Sequence, residues 1–181
     1  MKKMLMLICL GIILFSAGQV MAQSKPIQLS LTPDVAIYDR QTRIEGFSLG
    51  IWSENPQTGF ALGIVNGSTG DSAGFSLSLI LNYADNYKGV QWSLVNYVKK
   101  DITGWQHAIV NYTEGATKGL QTGVVNYTGN LKGLQLGVVN YAAKATSGVQ
   151  IGVLNIIPEN RWFTGLPNEL APGMVIVNWR F

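Results

Sequence analysis

Apolar and polar residues alternate along most of this chain, within a nine-residue unit that occurs eight times. The clearest copy runs from Gly133 to Tyr141 and reads Gly-Leu-Gln-Leu-Gly-Val-Val-Asn-Tyr. The other copies begin at Gly46, Gly59, Gly74, Gly89, Gly104, Gly119 and Gly148, mostly fifteen residues apart. A fixed period of this kind indicates one structural unit that is used repeatedly, so the fold follows from the unit.

The unit itself predicts a β-strand. When its positions are numbered one to nine from the leading glycine, positions two, four and six are mostly large and apolar. Position three is Ser, Ala or Gln, and position five is always Gly, Ser or Ala. Such alternation with a period of two is typical of a strand with one apolar face. Two further strands are predicted, from Ile27 to Ile37 and from Gly173 to Phe181, which makes ten.

The connectors between the units are short, polar and rich in turn-forming residues, as in Thr128-Gly129-Asn130. Short connectors favour antiparallel hairpins, because a conventional parallel crossover needs a dozen or more residues. We therefore predict an all-β protein, an antiparallel meander of about ten strands closed as a small outer-membrane-type β-barrel. Its apolar face would contact lipid, and the small residues at position five would form a narrow waist.

The alternative is a β-solenoid or sandwich built from the 15-residue repeats. The units have the same polarity, and the five from Gly89 onwards have Gln early and Asn late, so parallel stacking would create Gln and Asn ladders. Two features speak against the solenoid: the connectors contain no second apolar strand, and the step from Gly119 to Gly133 is one residue short. The uniform connectors in turn speak against a barrel, whose external loops are usually longer than its periplasmic turns.

The last strand, residues 173–181, ends in an aromatic residue. Val175, Val177, Trp179 and Phe181 alternate there and are predicted to share one face. This pattern resembles the C-terminal barrel-assembly signal of bacterial outer-membrane proteins, which ends in Phe.

The long connector at residues 157–172 is the best candidate for a contact loop. It carries Arg161, Trp162, Phe163 and Glu169, and binding residues concentrate on loops that a rigid scaffold holds. The alternative is a loop that merely packs over one end of the fold.

The first residues predict export. Residues 1–22 combine Lys2 and Lys3, an apolar run and the small-residue pattern Val20-Met21-Ala22, as a secretory signal peptide does. The remaining residues, 23–181, form one β-repeat domain with its repeats at 46–156. We expect the outer membrane or the cell surface as the location, with the periplasm or secretion as the alternative.

The composition argues against an enzyme. Without Lys2 and Lys3, 11 of the 13 basic residues remain against 10 acidic ones, and no basic cluster favours nucleic acid. The only cysteine, Cys9, lies in the predicted signal peptide, and the only histidine, His107, lies on the apolar face. No catalytic, cofactor or metal site is predicted. The expected partners are outer-membrane lipid and the barrel-assembly machinery, and no specific ligand is predicted.

The repeat and the end of the chain also resemble those of a known protein family. The unit from Gly119 to Tyr127 and the ending Val177-Asn178-Trp179-Arg180-Phe181 resemble a family of bacterial surface-repeat proteins. Those proteins are largely uncharacterised exported proteins built from Gly-Leu-Gln-x-Gly-x-Val-Asn units. The resemblance covers nearly all of residues 23–181 and implies a β-architecture in the cell envelope. We expect a structural or surface-display role, and the alternative is a soluble periplasmic or secreted β-repeat protein that acts in adhesion or ligand binding. It implies no activity, cofactor or catalytic residue.

Overall fold

Parallel pairing between successive units builds the fold. In the computed structural model, which describes residues 24–181, the units stack as the coils of a β-solenoid of about seven turns. Equal positions of neighbouring units lie side by side, as Gln106 does with Gln91 and with Gln121. The signal peptide predicted at residues 1–22 lies outside the described residues.

Nine strands in one sheet follow the coils, and the longest of them pass through more than one turn. They are β1 (Lys25–Thr32), β2 (Val35–Ala36), β3 (Ile44–Asn55), β4 (Gln57–Trp92), β5 (Val95–Val98), β6 (Ile102–His107), β7 (Val110–Thr122), β8 (Val125–Ile156) and β9 (Gly173–Arg180). Most pairs are parallel; β1 with β2 and β8 with β9 are antiparallel.

Each coil has two sides, and the chain bends between them at positions five and six. In the unit that begins at Gly104, the bend separates β6 from β7. The two sides face each other closely, because Nε2 of Gln121 at position three donates to the carbonyl oxygen of Tyr127 at position nine, 3.2 Å away. A coil is thus a flattened loop that needs no separate crossover segment.

The leading glycines form a row that the parallel stacking requires. The first seven of them have φ between +122° and +147°, a region that L-residues rarely adopt. A Cβ on Gly104, whose φ is +137°, would overlap the carbonyl oxygen of Gly89 in the preceding coil. The eighth, Gly148, has no such φ and pairs with Arg180 of the antiparallel β9.

The all-β prediction is confirmed, but the antiparallel meander and its closure as a barrel are wrong, and the solenoid alternative is correct. The nine-residue unit is not one strand. Its last positions, from position seven onwards, form the second side of the coil, so the second strand lies within the unit and not in the connector. The short step from Gly119 to Gly133 is also tolerated, because a register shift between Thr113 and Ala116 absorbs it within the connector.

The interior of the solenoid is mainly polar and contains two apolar clusters. Next to the bend, the amides of positions three and eight are buried. Next to the connectors, apolar clusters lie between the two sides of some coils, whereas Asn55, Gln57, Thr113 and Thr117 are buried polar residues in others. These clusters are Ala84, Tyr87, Val98 and Ile102 in one group and Leu131, Ala142, Ala145 and Ile157 in another. The apolar face predicted from the sequence therefore points outward.

Candidate interaction surface

Two ladders of amide side chains run through the interior beside the bend. In the glutamine ladder, the Nε2 of every glutamine after Gln91 donates to the Oε1 of the preceding coil. Its bonds run from Gln150 to Gln135 (2.8 Å), Gln135 to Gln121 (2.7 Å), Gln121 to Gln106 (2.8 Å) and Gln106 to Gln91 (3.1 Å). These glutamines are fully buried, and the hydrogen bonds between them offset the cost of removing their amides from water.

The asparagine ladder runs alongside and donates in the opposite direction, toward the following coil. Its bonds run from Asn82 to Asn96 (3.0 Å), Asn96 to Asn111 (2.9 Å), Asn111 to Asn126 (2.8 Å), Asn126 to Asn140 (2.8 Å) and Asn140 to Asn155 (2.8 Å). The unit that begins at Gly74 has one extra residue, so that Asn82 and Tyr83 stack on positions eight and nine of the next unit. Because the two ladders point in opposite directions, their amide dipoles largely cancel.

The outer side of the bend is a continuous surface, apolar except for His107 and Thr122, and is here called the apolar ridge. It consists of the outward side chains at positions four, six and seven of the eight units. At position four they are Leu49, Leu62, Leu77, Trp92, His107, Thr122, Leu136 and Ile151. At position six they are Ile51, Ile64, Leu79, Leu94, Ile109, Val124, Val138 and Val153. At position seven they are Trp52, Val65, Ile80, Val95, Val110, Val125, Val139 and Leu154. These side chains are partly or largely exposed, Leu79 to 64% and Val153 to 67%.

The ridge contains no Asp, Glu, Lys or Arg. It continues at both ends, with Leu31 and Val35 of the first hairpin and Val175 and Ile176 of β9. Since neighbouring coils of a sheet lie about 4.8 Å apart, its eight coils extend for about 34 Å along the axis. Monomeric soluble proteins rarely expose a continuous apolar surface of this size without a partner for it.

Aromatic rows border the ridge on both sides of the solenoid. On one side, the tyrosines at position nine stack ring on ring, with centroids 4.5 Å apart between Tyr112 and Tyr127. On the other side, position two carries the stacked rings of Phe47, Phe60 and Phe75, with centroids 5.6 and 5.5 Å apart. Rings thus border part of the ridge, with phenylalanine beside the first three units and tyrosine, which carries a hydroxyl group, beside the third to seventh; position nine of the first unit is Glu54.

Most charged residues of the repeats lie at the far side of each coil, on a surface here called the charged rim. The rim comprises the connectors and the residue before each leading glycine. Its charged members from Asp71 onwards are Asp71, Asp85, Lys88, Lys99, Lys100, Asp101, Glu114, Lys118, Lys132 and Lys144. An ion pair of 3.6 Å joins Lys118 to Asp101 across neighbouring coils. The solenoid is therefore amphipathic across its width.

The predicted contact loop closes the C-terminal end of the solenoid. Glu169 is buried and accepts hydrogen bonds from Nε of Arg161 and from Nη1 of Arg180, both at 2.6 Å. Leu170 and Ala171 beside it are also buried. Trp162 and Phe163 remain exposed, with ring centroids 5.9 Å apart. The structure therefore brings Arg161 and Glu169 together and leaves the two aromatic residues free to contact a partner.

The residues of the predicted C-terminal signal lie on and just after β9, which pairs with β8. Trp179 lies opposite Val149 and Val177 opposite Ile151. Val175 is exposed and extends the ridge, and Nε1 of Trp179 donates to the carbonyl oxygen of Pro167, 2.9 Å away. Phe181 is exposed at the end of the chain, where its backbone N–H donates to the carbonyl oxygen of Asn168, 2.8 Å away.

The ion pairs at this end predict an acid-sensitive contribution to stability. The hydrogen bond from Arg161, together with the charges of Arg161 and Arg180, lowers the pKa of the Glu169 carboxyl. A lowered pKa in the folded state gives stability above the unfolded-state pKa, and this stability is lost as the pH falls through the folded-state pKa. We expect Glu169→Gln to lower the thermal midpoint at pH 7, and we expect the difference from wild type to shrink as the pH falls through the folded-state pKa of Glu169.

Glu159→Gln is the matched control for that measurement. Glu159 lies in the same loop, and its side chain is exposed. Calorimetry of wild type, Glu169→Gln and Glu159→Gln between pH 3 and pH 7 measures how each thermal midpoint depends on pH. Equal midpoints for the two variants at pH 7 would contradict a stabilising role of the Glu169 ion pairs.

His107 lies on the ridge with two close neighbours. Its Nδ1 is 2.8 Å from Oγ1 of Thr122, and its ring centroid lies 4.6 Å from that of Trp92. Within residues 24–181, no three His, Cys, Asp or Glu side chains are grouped so that they could hold a metal ion. None of the described residues forms a helix of the length and apolar character needed to cross a membrane.

The alternation with a period of two predicts positions four and six on the apolar face of the strand and position seven on the opposite face. Trp52, Ile80 and Val125 at position seven are nevertheless exposed on the ridge. The signal was present in the sequence, because positions six and seven are two adjacent apolar residues in every unit and so interrupt the alternation. Such an interruption indicates a bend, where both side chains can point outward.

No known protein-family model, curated protein or solved structure matches this chain.

Proposed function

We propose that this protein is an exported, non-enzymatic β-repeat protein of the bacterial envelope, periplasmic or secreted, that acts by binding through its apolar ridge. The observation that carries the proposal is the separation of apolar and charged residues on opposite sides of the solenoid. The exposed rows along the bend are apolar except for His107 and Thr122, whereas most charges of the repeats lie on the charged rim. A surface of this kind needs an apolar partner, and the amide ladders behind it hold it rigid.

Two further observations support binding over catalysis. The ridge consists mainly of aliphatic and aromatic side chains that recur from coil to coil, and a catalytic site usually needs polar groups that differ from their neighbours. Parallel solenoids also present extended binding surfaces as a direct result of their stacking. Export is supported by the signal peptide predicted at residues 1–22 and by the resemblance to surface-repeat proteins.

Fractionation of cells that express the full chain tests the proposal. We expect a product that lacks residues 1–22 by mass spectrometry, recovered from the periplasm, the medium or a membrane fraction that alkaline carbonate releases. Ile13→Arg, which interrupts the apolar run of the predicted signal peptide, should keep the full-length chain in the cytoplasm. An unprocessed cytoplasmic wild-type chain would overturn the proposed function.

A further inference from the structure

We infer that the partner of the apolar ridge is the surface of a lipid bilayer, into which the solenoid inserts edge-on while its charged rim stays in water. This inference rests on the proposed function, since it names the partner of the same surface. It commits to lipid because the surface changes its chemistry with distance from the ridge as a membrane interface does with depth.

The first step is the depth of the apolar layer. Position six is the crest of the bend, and position nine follows three residues later, so that the tyrosine row lies about 10 Å from the crest at 3.3 Å per residue. Elements that lie in a membrane interface bury their apolar faces by about 5–10 Å. The crest would therefore reach the acyl chains when the tyrosine rings are at the level of the headgroups.

The second step is the position of the aromatic rings and the charges. Tyr and Trp are enriched at membrane interfaces, where the ring is apolar and its polar group can reach water. Here Tyr97, Tyr112 and Tyr127 border the ridge on one side, and Trp105 borders it on the other. The charged rim lies about 20 Å from the crest, six residues along the coil, beyond the depth at which lysine and aspartate would be desolvated.

The third step is the shape of the ridge. The crest is convex, because the chain bends at positions five and six in each coil. Two convex crests from two copies of the chain would share only a narrow strip, whereas fluid lipid can follow the crest on both flanks. The ridge also lacks any charged residue that would pair with a second protein.

The ridge composition defines the lipid class. Since no cation lies on the ridge, binding should come from apolar area and should need no anionic headgroup. We expect the purified chain, residues 23–181, to bind vesicles of phosphatidylcholine, with an affinity that changes less than about twofold between 50 and 500 mM salt.

A pair of lysine variants tests the surface directly. Ile109→Lys with Val138→Lys adds two charges to the crest, at positions that are exposed and so compatible with folding. The matched control, Thr58→Lys with Thr103→Lys, adds the same two charges to the row that holds Lys88, Lys118 and Lys132. In vesicle flotation, we expect the crest variant to bind at least about tenfold more weakly than wild type and the control to bind as wild type does.

A second readout reports insertion. Trp52 and Trp92 lie on the ridge and are exposed in the free protein. Lipids brominated in the acyl chains should quench their fluorescence, and Trp52→Phe with Trp92→Phe should remove most of that quenching. Circular dichroism of every variant shows whether it retains the fold.

The outcomes separate the two proposals. Vesicle binding that the crest lysines weaken supports the lipid surface as the partner. A dimer in analytical ultracentrifugation that the crest lysines dissociate, without vesicle binding, overturns the lipid partner but keeps the ridge as a binding surface. Vesicle binding and oligomeric state that are both unchanged by the crest lysines overturn the lipid partner and the proposed binding role of the ridge together.

Discussion

Gly104→Ala should lower the free energy of unfolding by about 2–6 kcal/mol, as the sum of two costs. The φ of +137° at this residue is one that alanine rarely adopts, which costs about 1–3 kcal/mol. The new Cβ would also overlap the carbonyl oxygen of Gly89, and the resulting backbone shift costs about 1–3 kcal/mol more. Urea denaturation followed by circular dichroism measures the change.

Two other glycines serve as controls for that experiment. At Gly173, a Cβ would meet nothing within 4 Å, and φ is not in the left-handed region, so Gly173→Ala should change stability by less than about 1 kcal/mol. Gly70 has φ of +60° with open space around it, so Gly70→Ala should show the backbone cost alone, about 1–2 kcal/mol. Equal urea midpoints for Gly104→Ala and Gly173→Ala would contradict the stacked glycine row.

The destabilisation by Gly104→Ala should be largest in the mutated coil and in the two coils that contact it. Coils of a solenoid contact only their neighbours, so that a weak coil divides the stack. Hydrogen exchange should therefore show the largest loss of protection in the coils of Gly89, Gly104 and Gly119. A uniform loss across all coils would instead indicate a single cooperative unit.

The sequence was sufficient to predict an all-β protein and an outward-facing apolar surface, because alternation and turn composition are local properties. It also contained the information for parallel stacking. Only in a parallel stack do Gln106, Gln121 and Gln135 lie beside one another, as their hydrogen bonds of 2.7 to 2.8 Å require. The antiparallel prediction gave more weight to connector length than to this repeated polarity.

Two features were not predicted from the pattern. The bend at positions five and six was missed because the small residues at Gly123 and Ser93 indicate a waist as readily as a corner, and only the adjacent apolar residues at positions six and seven signal it. The salt bridges of Glu169 join residues eight and eleven positions away, and nothing in the spacing of Arg161 and Arg180 predicts that they share one carboxylate. That pairing depends on how the loop folds over the end of the solenoid.

We expect the free energy of unfolding of Asn126→Asp to fall as the pH rises, because the new carboxyl group would lie within the buried asparagine ladder. In the wild type, Nδ2 of Asn126 donates to Oδ1 of Asn140 and to the carbonyl oxygen of Leu136, and its Oδ1 accepts from Asn111. A carboxylate in its place would direct an oxygen at these two acceptors from a fully buried position. Only a protonated carboxyl group could donate one of the lost bonds.

Because the folded state favours the protonated carboxyl group, the sign of the pH dependence is fixed. Burial beside two acceptors raises the pKa of the new carboxyl in the folded state above about 3.9, its value in the unfolded chain. Between these two pKa values the folded state holds one more proton, so the free energy of unfolding falls by about 1.4 kcal/mol per pH unit. The difference from wild type should be smallest below about pH 4, where the one bond that stays lost costs about 1–3 kcal/mol, and should grow by several kcal/mol at pH 7.

Asn168→Asp provides the matched substitution, because the side chain of Asn168 is exposed in the C-terminal loop. Its urea midpoint should follow that of wild type from pH 4 to pH 7, whereas the midpoint of Asn126→Asp should fall continuously over the same range. Parallel curves for the two variants would show that position eight is hydrated, and the ladder could not then be what holds the apolar ridge in place. Divergent curves would establish that the amide interior stabilises the coils.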